Sequence, residues 1–137
     1  EFPLTRRDII GVIRQNGIGL VVERREIADG FVSDPVIVGC VLYELHNNRN
    51  HLLSIAVDPA HQRQGIGRAM HEEMRRKLSL ARNRIMLEVR ERNLPAQLFF
   101  RAMGYRAMGV LRNYYDGCDD DAYLMCYRLH PQSETVL

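Results

Sequence analysis

The sequence predicts an α/β domain, a single mixed β-sheet flanked by helices, and three observations carry that expectation. Strand, helix and strand patterns follow one another over residues 52–90, and such a unit closes as a right-handed crossover between parallel strands. The segments on either side, 36–57 and 105–129, each read as two β-prone runs around a turn and pair as antiparallel hairpins. The helical segments carry one-sided apolar stripes, which need a sheet to bury against.

Each element has a local reason. A helix is expected over residues 7–15, where Ile9, Ile10, Val12 and Ile13 form the apolar stripe and Asn16-Gly17 stops it. Residues 18–24 read as a strand and 28–35 as a loop. Residues 36–45 are strongly β-prone, and the turn at 47–50 returns the chain into a strand over 52–57. Asp58-Pro59 ends that strand, because the residue before proline avoids the helical region and proline has no N–H for the ladder. A helix over 66–80 repeats Ile66, Met70, Met74 and Leu78 every fourth residue, with Ala69 beside them, while Arg68, Glu72, Arg75 and Arg76 face away. The strand 85–90 alternates Ile85, Leu87 and Val89 against Arg84, Glu88 and Arg90. The next helix takes Asn93 as N-cap, tolerates Pro95 in its first turn and stops at Gly104. Residues 105–111 and 121–129 close the sheet around the turn Asp116-Gly117. Residues 1–130 make one domain, and 131–137 a frayed tail.

Composition narrows the function classes. A chain of 137 residues buries a core without disulfide support. No run of about 18 apolar residues exists, so no membrane span or membrane partner is expected. Nothing at the amino terminus reads as a secretory signal. Cys40, Cys118 and Cys126 are odd in number and lack CxxC spacing, which favours free thiols and a reducing, cytoplasmic setting. His46 and His51 flank an Asn-rich turn and read as a solvated hairpin, so no metal is expected. The net charge of +2 gives no global field toward nucleic acid, and no RNP-like aromatic motif is present.

The informative stretch is HQRQGIGRAM, residues 61–70. A helix amino terminus leaves backbone N–H groups unpaired and carries about half a positive charge. Gly65 and Gly67 let a ligand approach that backbone, and Arg63 and Arg68 add formal charge, as in a phosphate cradle. The P-loop is excluded because no GK[ST] follows, and the spacing is not GxGxxG. Spacing alone leaves a plain glycine-containing turn equally open.

The longer stretch IAVDPAHQRQGIGRAM resembles the coenzyme A signature Q/R-x-x-G-x-G/A of the GNAT acetyltransferases, here Gln62-Arg63-Gln64-Gly65-Ile66-Gly67. LEVRERN (87–93), the helix end FFRAMGY and RNYYDGCDDDAYLM (112–125) extend the likeness. Together they resemble the branch of amino-terminal protein acetyltransferases that holds the RimI-type ribosomal-protein-alanine enzymes. The likeness spans residues 36–129.

That resemblance implies a GNAT fold whose central parallel strands splay to admit acetyl-CoA. It assigns the cofactor contacts to Ile55, Ala56, Val57, Arg63, Gln64, Gly65, Ile66, Gly67, Arg68 and Asn93, although Asn93 has the competing role of helix cap. It implies Glu88 as the base that deprotonates the acceptor amine, against the plainer reading of a surface carboxylate paired with Arg84 or Arg90. It makes a backbone N–H, expected from Val57, the oxyanion donor. Tyr114 and Tyr115 match the paired tyrosines that line the acceptor entrance. Asp116, Asp119, Asp120 and Asp121 offer a negative rim, or simply a solvated turn.

The sequence departs from the family twice. Phe100 stands where the family's general acid is a tyrosine, which leaves three options: Tyr114, Tyr115 or Tyr105 substitutes, a water does, or the thiolate leaves unassisted. The strand that family members place before the segment matching FPLTRRDII has no counterpart. Either the sequence is trimmed ahead of it, or the sheet lacks an edge strand and exposes its neighbour, which invites a homodimer through that edge. The expected activity is acetyl-CoA-dependent N-acetyl transfer to a protein or peptide N-terminus, ribosomal ones included. A small-molecule amine acetyltransferase, acting on polyamine- or aminoglycoside-like acceptors, and a catalytically weak CoA-binding domain are the alternatives.

Overall fold

A computed structural model describes residues 17–117 and 119–129. The helix expected over 7–15, Cys118 and the tail 131–137 lie outside these residues. The described elements are β1 (Gly17–Arg24), β2 (Ile27–Ala28), β3 (Phe31–Val32), β4 (Val36–Leu45), β5 (Asn50–Val57), α1 (Ile66–Arg76), β6 (Arg84–Arg90), α2 (Leu94–Ala102), β7 (Arg106–Leu111) and β8 (Ala122–Arg128).

Six strands form one sheet in the order β1-β4-β5-β6-β8-β7. Only the β5–β6 pair is parallel, the crossover partner joined through α1, and the rest are antiparallel. The mixed sheet expected from the sequence is the one observed. Among the described residues β1 has a single strand neighbour, β4. The segment expected as a loop holds a two-residue ladder instead, Ile27 with Val32 and Ala28 with Phe31. Its tip is Asp29-Gly30, at φ 50° and 79°; positive φ at both central residues matches the right-handed twist of a hairpin.

The core lies between the sheet and the two helices. Ile85, Leu87 and Val89 point into it from β6, Met70 and Met74 from α1, and Phe100 from α2, so the alternation read from β6 holds. The apolar face of α1 is rotated from the expected one. Ala69 is exposed and His71 is buried, because the His71 ring meets Tyr105 Oη at 3.1 Å and packs edge-on against Tyr105 and Tyr127. The helix also ends at Arg76, short of residue 80. There Ser79 starts a competing turn, its Oγ accepting from Arg82 N at 3.1 Å.

α1 lies close on the sheet at Gly39. A Cβ there would stand 3.0 Å from Ile66 Cγ2, 3.2 Å from Met70 Cε and 3.4 Å from the Ala56 carbonyl oxygen. Gly39→Ala is therefore expected to lower stability by about 1–3 kcal/mol through overpacking. Denaturant unfolding checks this, and an unchanged midpoint would mean that the helix seats elsewhere.

Candidate active site

The site begins where the two parallel strands part. β5 and β6 pair only at Asn50 with Ile85 and His51 with Met86. Against β4, the register of β5 jumps from Leu52 opposite Tyr43 to Ser54 opposite Leu42, leaving Leu53 as a bulge. A bulge bends its strand and sharpens the twist, and β5 departs from β6 beyond it. Asp58 N donates to the Val38 carbonyl at 2.7 Å, so the pair Gly39–Val57 between them is of the non-hydrogen-bonded kind. By alternation, the backbone groups of Ile55 and Val57 face the gap while those of Ala56 bond to Cys40.

The chain leaving β5 turns into α1 through Arg63 and Gly65, both left-handed at φ 63° and 81°. Such turns gather backbone N–H groups into an anion-binding concavity. Among the described residues no side chain caps α1, and the Gly65 carbonyl at its N-cap accepts from Ala69 N at 2.9 Å. The leading amides thus stay unpaired within the helix. Gly67 lets α1 and α2 approach: a Cβ there would lie 3.2 Å from the Phe99 ring. A groove of about 650 Å³ runs along this corner, walled by Ile55, Ala56, Val57, Gln62, Arg63, Gly65, Ile66, Gly67 and Arg68 on one side and by α2 on the other.

A second cavity, of about 310 Å³, opens on the other side of the gap between His51, Glu88, Tyr114 and Tyr115. Ile55, Asn93, Ala96 and Phe100 line both cavities, so the two meet through the parted strands. Glu88 is largely withdrawn from solvent, its side chain 16% exposed. His51 Nε2 lies 2.7 and 3.0 Å from its two oxygens, and Tyr114 Oη donates to it at 3.2 Å. A carboxylate offers only acceptors, so His51 donates through Nε2–H. Its other nitrogen, Nδ1, faces Glu44 Oε1 at 3.6 Å. Hydrogen bonding to Glu88 raises the His51 pKa above its ordinary value, against the opposing effect of burial and of Arg49. Burial, followed by the Glu88 charge, likewise raises the Tyr114 hydroxyl. Tyr115 packs edge-on against Tyr114, and the Arg90 guanidinium sits 4.1 Å from the Tyr115 ring centre. Chemically this cavity can hold a cationic amine and take its proton.

The sequence pattern of the Acetyltransferase (GNAT) family matches residues 11–105. The chain belongs to that family. It is 39% identical over 84 residues to N-alpha-acetyltransferase RimI of Mycobacterium tuberculosis, covering 61% of this chain and 47% of that protein. It spans about half the length of the sequence relatives it matches. Its fold is similar to the crystal structure of the ribosomal-protein-S18-alanine N-acetyltransferase from Escherichia coli, with TM-score 0.73 and 22% identity over 95% of this chain and 80% of that one. Arabidopsis thaliana NAA60 in complex with acetyl-CoA is a further structural neighbour, with TM-score 0.62 and 20% identity over 69% and 66% of the two chains.

Within this GNAT fold most residues singled out from the sequence converge. Glu88, Tyr114 and Tyr115 share one cavity, and the Arg63–Arg68 turn lines the other except at Gln64, whose Oε1 accepts from Arg24 at 3.3 Å. Asn93 takes the capping role, Oδ1 accepting from Ala96 N at 3.2 Å, and it also lies on the wall of both cavities. Tyr105 is not placed to act as an acid. It is 2% exposed, lines neither cavity and is pushed far above the ordinary tyrosine range by burial. Of the expected acidic rim, Asp120 pairs instead with Arg90 at 3.0 Å and Arg92 at 2.9 Å, and Asp121 accepts from Asn113 N at 2.9 Å. The residue that sequence reasoning missed is His51. Its alignment opposite Met86 at the last parallel pair places it beside Glu88, which a hairpin reading of the local sequence does not reveal.

Asp120 ties β6 to the loop that carries both tyrosines. Removing it takes one charged partner from the largely buried Arg90, while the exposed Arg92 is hydrated instead, so Asp120→Ala is expected to destabilise by about 1.5–3 kcal/mol. Thermal unfolding and faster proteolysis within 112–121 are the readouts; parent-like values in both would show that the pairing does not hold the loop.

Proposed function

We propose that this GNAT chain transfers the acetyl group of acetyl-CoA to the α-amine of a protein or peptide N-terminus, by direct attack in a ternary complex. The observation that carries the reading is the joining of the two cavities through the β5–β6 gap, with unpaired helix amides on one side and the Glu88–His51 pair on the other. The E. coli neighbour is named for ribosomal protein S18, and a terminus of that kind is the acceptor class proposed here.

The residues present fit the cofactor. Arg63, Arg68 and the amides opening α1 suit a diphosphate. The Ile55 backbone together with the Val57 N–H, both turned into the gap, suits an extended amide-bearing arm, as a neighbouring strand would, while the Val57 carbonyl accepts from Gln62 Nε2 at 3.3 Å. When bound, acetyl-CoA supplies an activated acyl thioester. Glu88 takes the acceptor's proton, directly or through one water, while His51 and Tyr114 hold the carboxylate in place. An α-amine has a pKa near 8, against about 10.4 for lysine, so an amino-terminal acceptor gives up its proton far more readily near neutrality than a lysine does. The Val57 N–H, turned into the gap, is placed to donate to a negatively charged oxygen there. Tyr114, whose Oη meets Glu88 at 3.2 Å, is the hydroxyl proposed to take over as proton donor where Phe100 cannot.

Glu88→Gln should lower kcat by about 10²- to 10⁴-fold with acetyl-CoA affinity nearly intact. A peptide assay with calorimetry reads both, and parent-like turnover would remove Glu88 from the mechanism. A panel of N-terminal peptides against polyamines and aminoglycosides tests the acceptor class. Preference for the small amines would contradict the reading.

His51 adds a pH signature. Its pKa is raised, so the imidazolium that clamps Glu88 persists above the ordinary histidine value and is lost as pH rises through the raised one. kcat/KM for one peptide should climb through that range. In His51→Gln the acid limb should move to lower pH, the peptide's own ionisation being common to both enzymes. Superimposable profiles would exclude the coupling.

A further inference from the structure

The hairpin carrying His51 brings together more than the sequence spacing suggested. Glu44 and His51 are cross-strand partners at the open end of the β4–β5 ladder, and His46 follows just past the end of β4. Glu44 Oε1 stands 3.5 Å from His46 Nε2 and 3.6 Å from His51 Nδ1, and the three donor atoms all lie within 4.8 Å of one another. These separations exceed ordinary hydrogen-bond lengths. They match the edges of a tetrahedron around a metal ion with bonds of about 2.0–2.2 Å, whose donors sit about 3.4 Å apart.

Two details argue that a cation belongs between them. His46 Nε2 is shielded from solvent and makes no hydrogen bond among the described residues, while Arg82 Nε holds the His46 carbonyl at 2.7 Å. His51 spends its Nε2–H on Glu88, so in the neutral ring a bare Nδ1 lone pair faces the Glu44 carboxylate. Two electron-rich atoms turned toward each other are stabilised by a positive ion between them. The arrangement of Glu88, His51 and the gap is that of a metal-bound histidine whose other nitrogen is fixed by a carboxylate. Arg49, which lines the adjoining hollow with His51 and Glu88, opposes a cation; the carboxylates of Glu44 and Glu88 offset it.

We propose that Glu44, His46 and His51 form a three-ligand site for a divalent metal ion of the Zn²⁺ class, whose occupation inhibits acetyl transfer. A metal on Nδ1 gives the His51 ring the positive charge of the imidazolium, so Glu88 stays clamped by a cation and is a poorer acceptor for the amine's proton. The inhibitory half rests on the function proposed above; the site itself does not.

The test titrates the chelator-treated, thiol-blocked chain with ZnCl₂ by calorimetry and repeats it with His46→Gln, which lies outside the catalytic pair. The parent should bind one Zn²⁺, and His46→Gln should bind at least about tenfold more weakly. Without metal the two should acetylate peptide equally. With Zn²⁺ the parent should be inhibited, and His46→Gln should need at least about tenfold more metal for the same loss. Absent binding, or equal binding by His46→Gln and by Glu44→Gln, would overturn the site. Binding that leaves acetyl transfer untouched would overturn the coupling. A parent that transfers no acetyl group would defeat the functional reading alone, because the calorimetric comparison still decides the site.

Discussion

The fold turns on an interaction that stops: the parallel ladder between β5 and β6 ends at His51, and the backbone of Ile55 and Val57 is left facing a gap. Backbone N–H and C=O groups withheld from both protein and water are costly, so a sheet opens at its centre only where something else completes the ladder. The Leu53 bulge supplies the bend, and the ladder with β4 keeps β5 in the sheet despite it. Phe100, 5% exposed, fills the base of the wedge from α2 and keeps the two cavities open to each other without letting the strands close.

The gap separates two electrostatic environments. On one side stand unpaired helix amides with Arg63 and Arg68; on the other stand Glu88 and Glu44 with His51 between them. Such a division suits an anionic ligand arm at one mouth of the passage and a cationic amine at the other, as the proposed function requires. In the acidic stretch after Tyr115, Asp116 and Asp119 stay exposed. Asp120 and Asp121 serve as internal anchors for the tyrosine loop, through Arg90, Arg92 and Asn113.

Much of this was legible in the sequence because it is written in local patterns. The alternation of 84–90, the Asn93 cap and the glycine pair at 65 and 67 each specify their structure over a few residues. The hairpin at Asp29-Gly30 went unread, because its two-residue flanks are too short to show an alternation, although that dipeptide is a two-residue turn signal. The buried face of α1 was misjudged at Ala69 because a histidine and two tyrosines, distant in sequence, form a polar-edged aromatic cluster that draws His71 inward. His51 was illegible for a related reason. Its importance comes from a partner 37 residues away, and only strand register fixes that meeting. The contact between Tyr114 and Glu88 was illegible for the same reason, since it exists only because the loop after β7 folds back over β6.

Backbone amide exchange by NMR, with and without saturating acetyl-CoA, tests the central claim most directly. The account predicts that the amides of Ile55 and Val57 become protected on binding, while Ala56, already bonded to Cys40, stays as it was. If Ile55 and Val57 exchange at the same rates in both states, the parted strands do not receive the ligand, and the account fails.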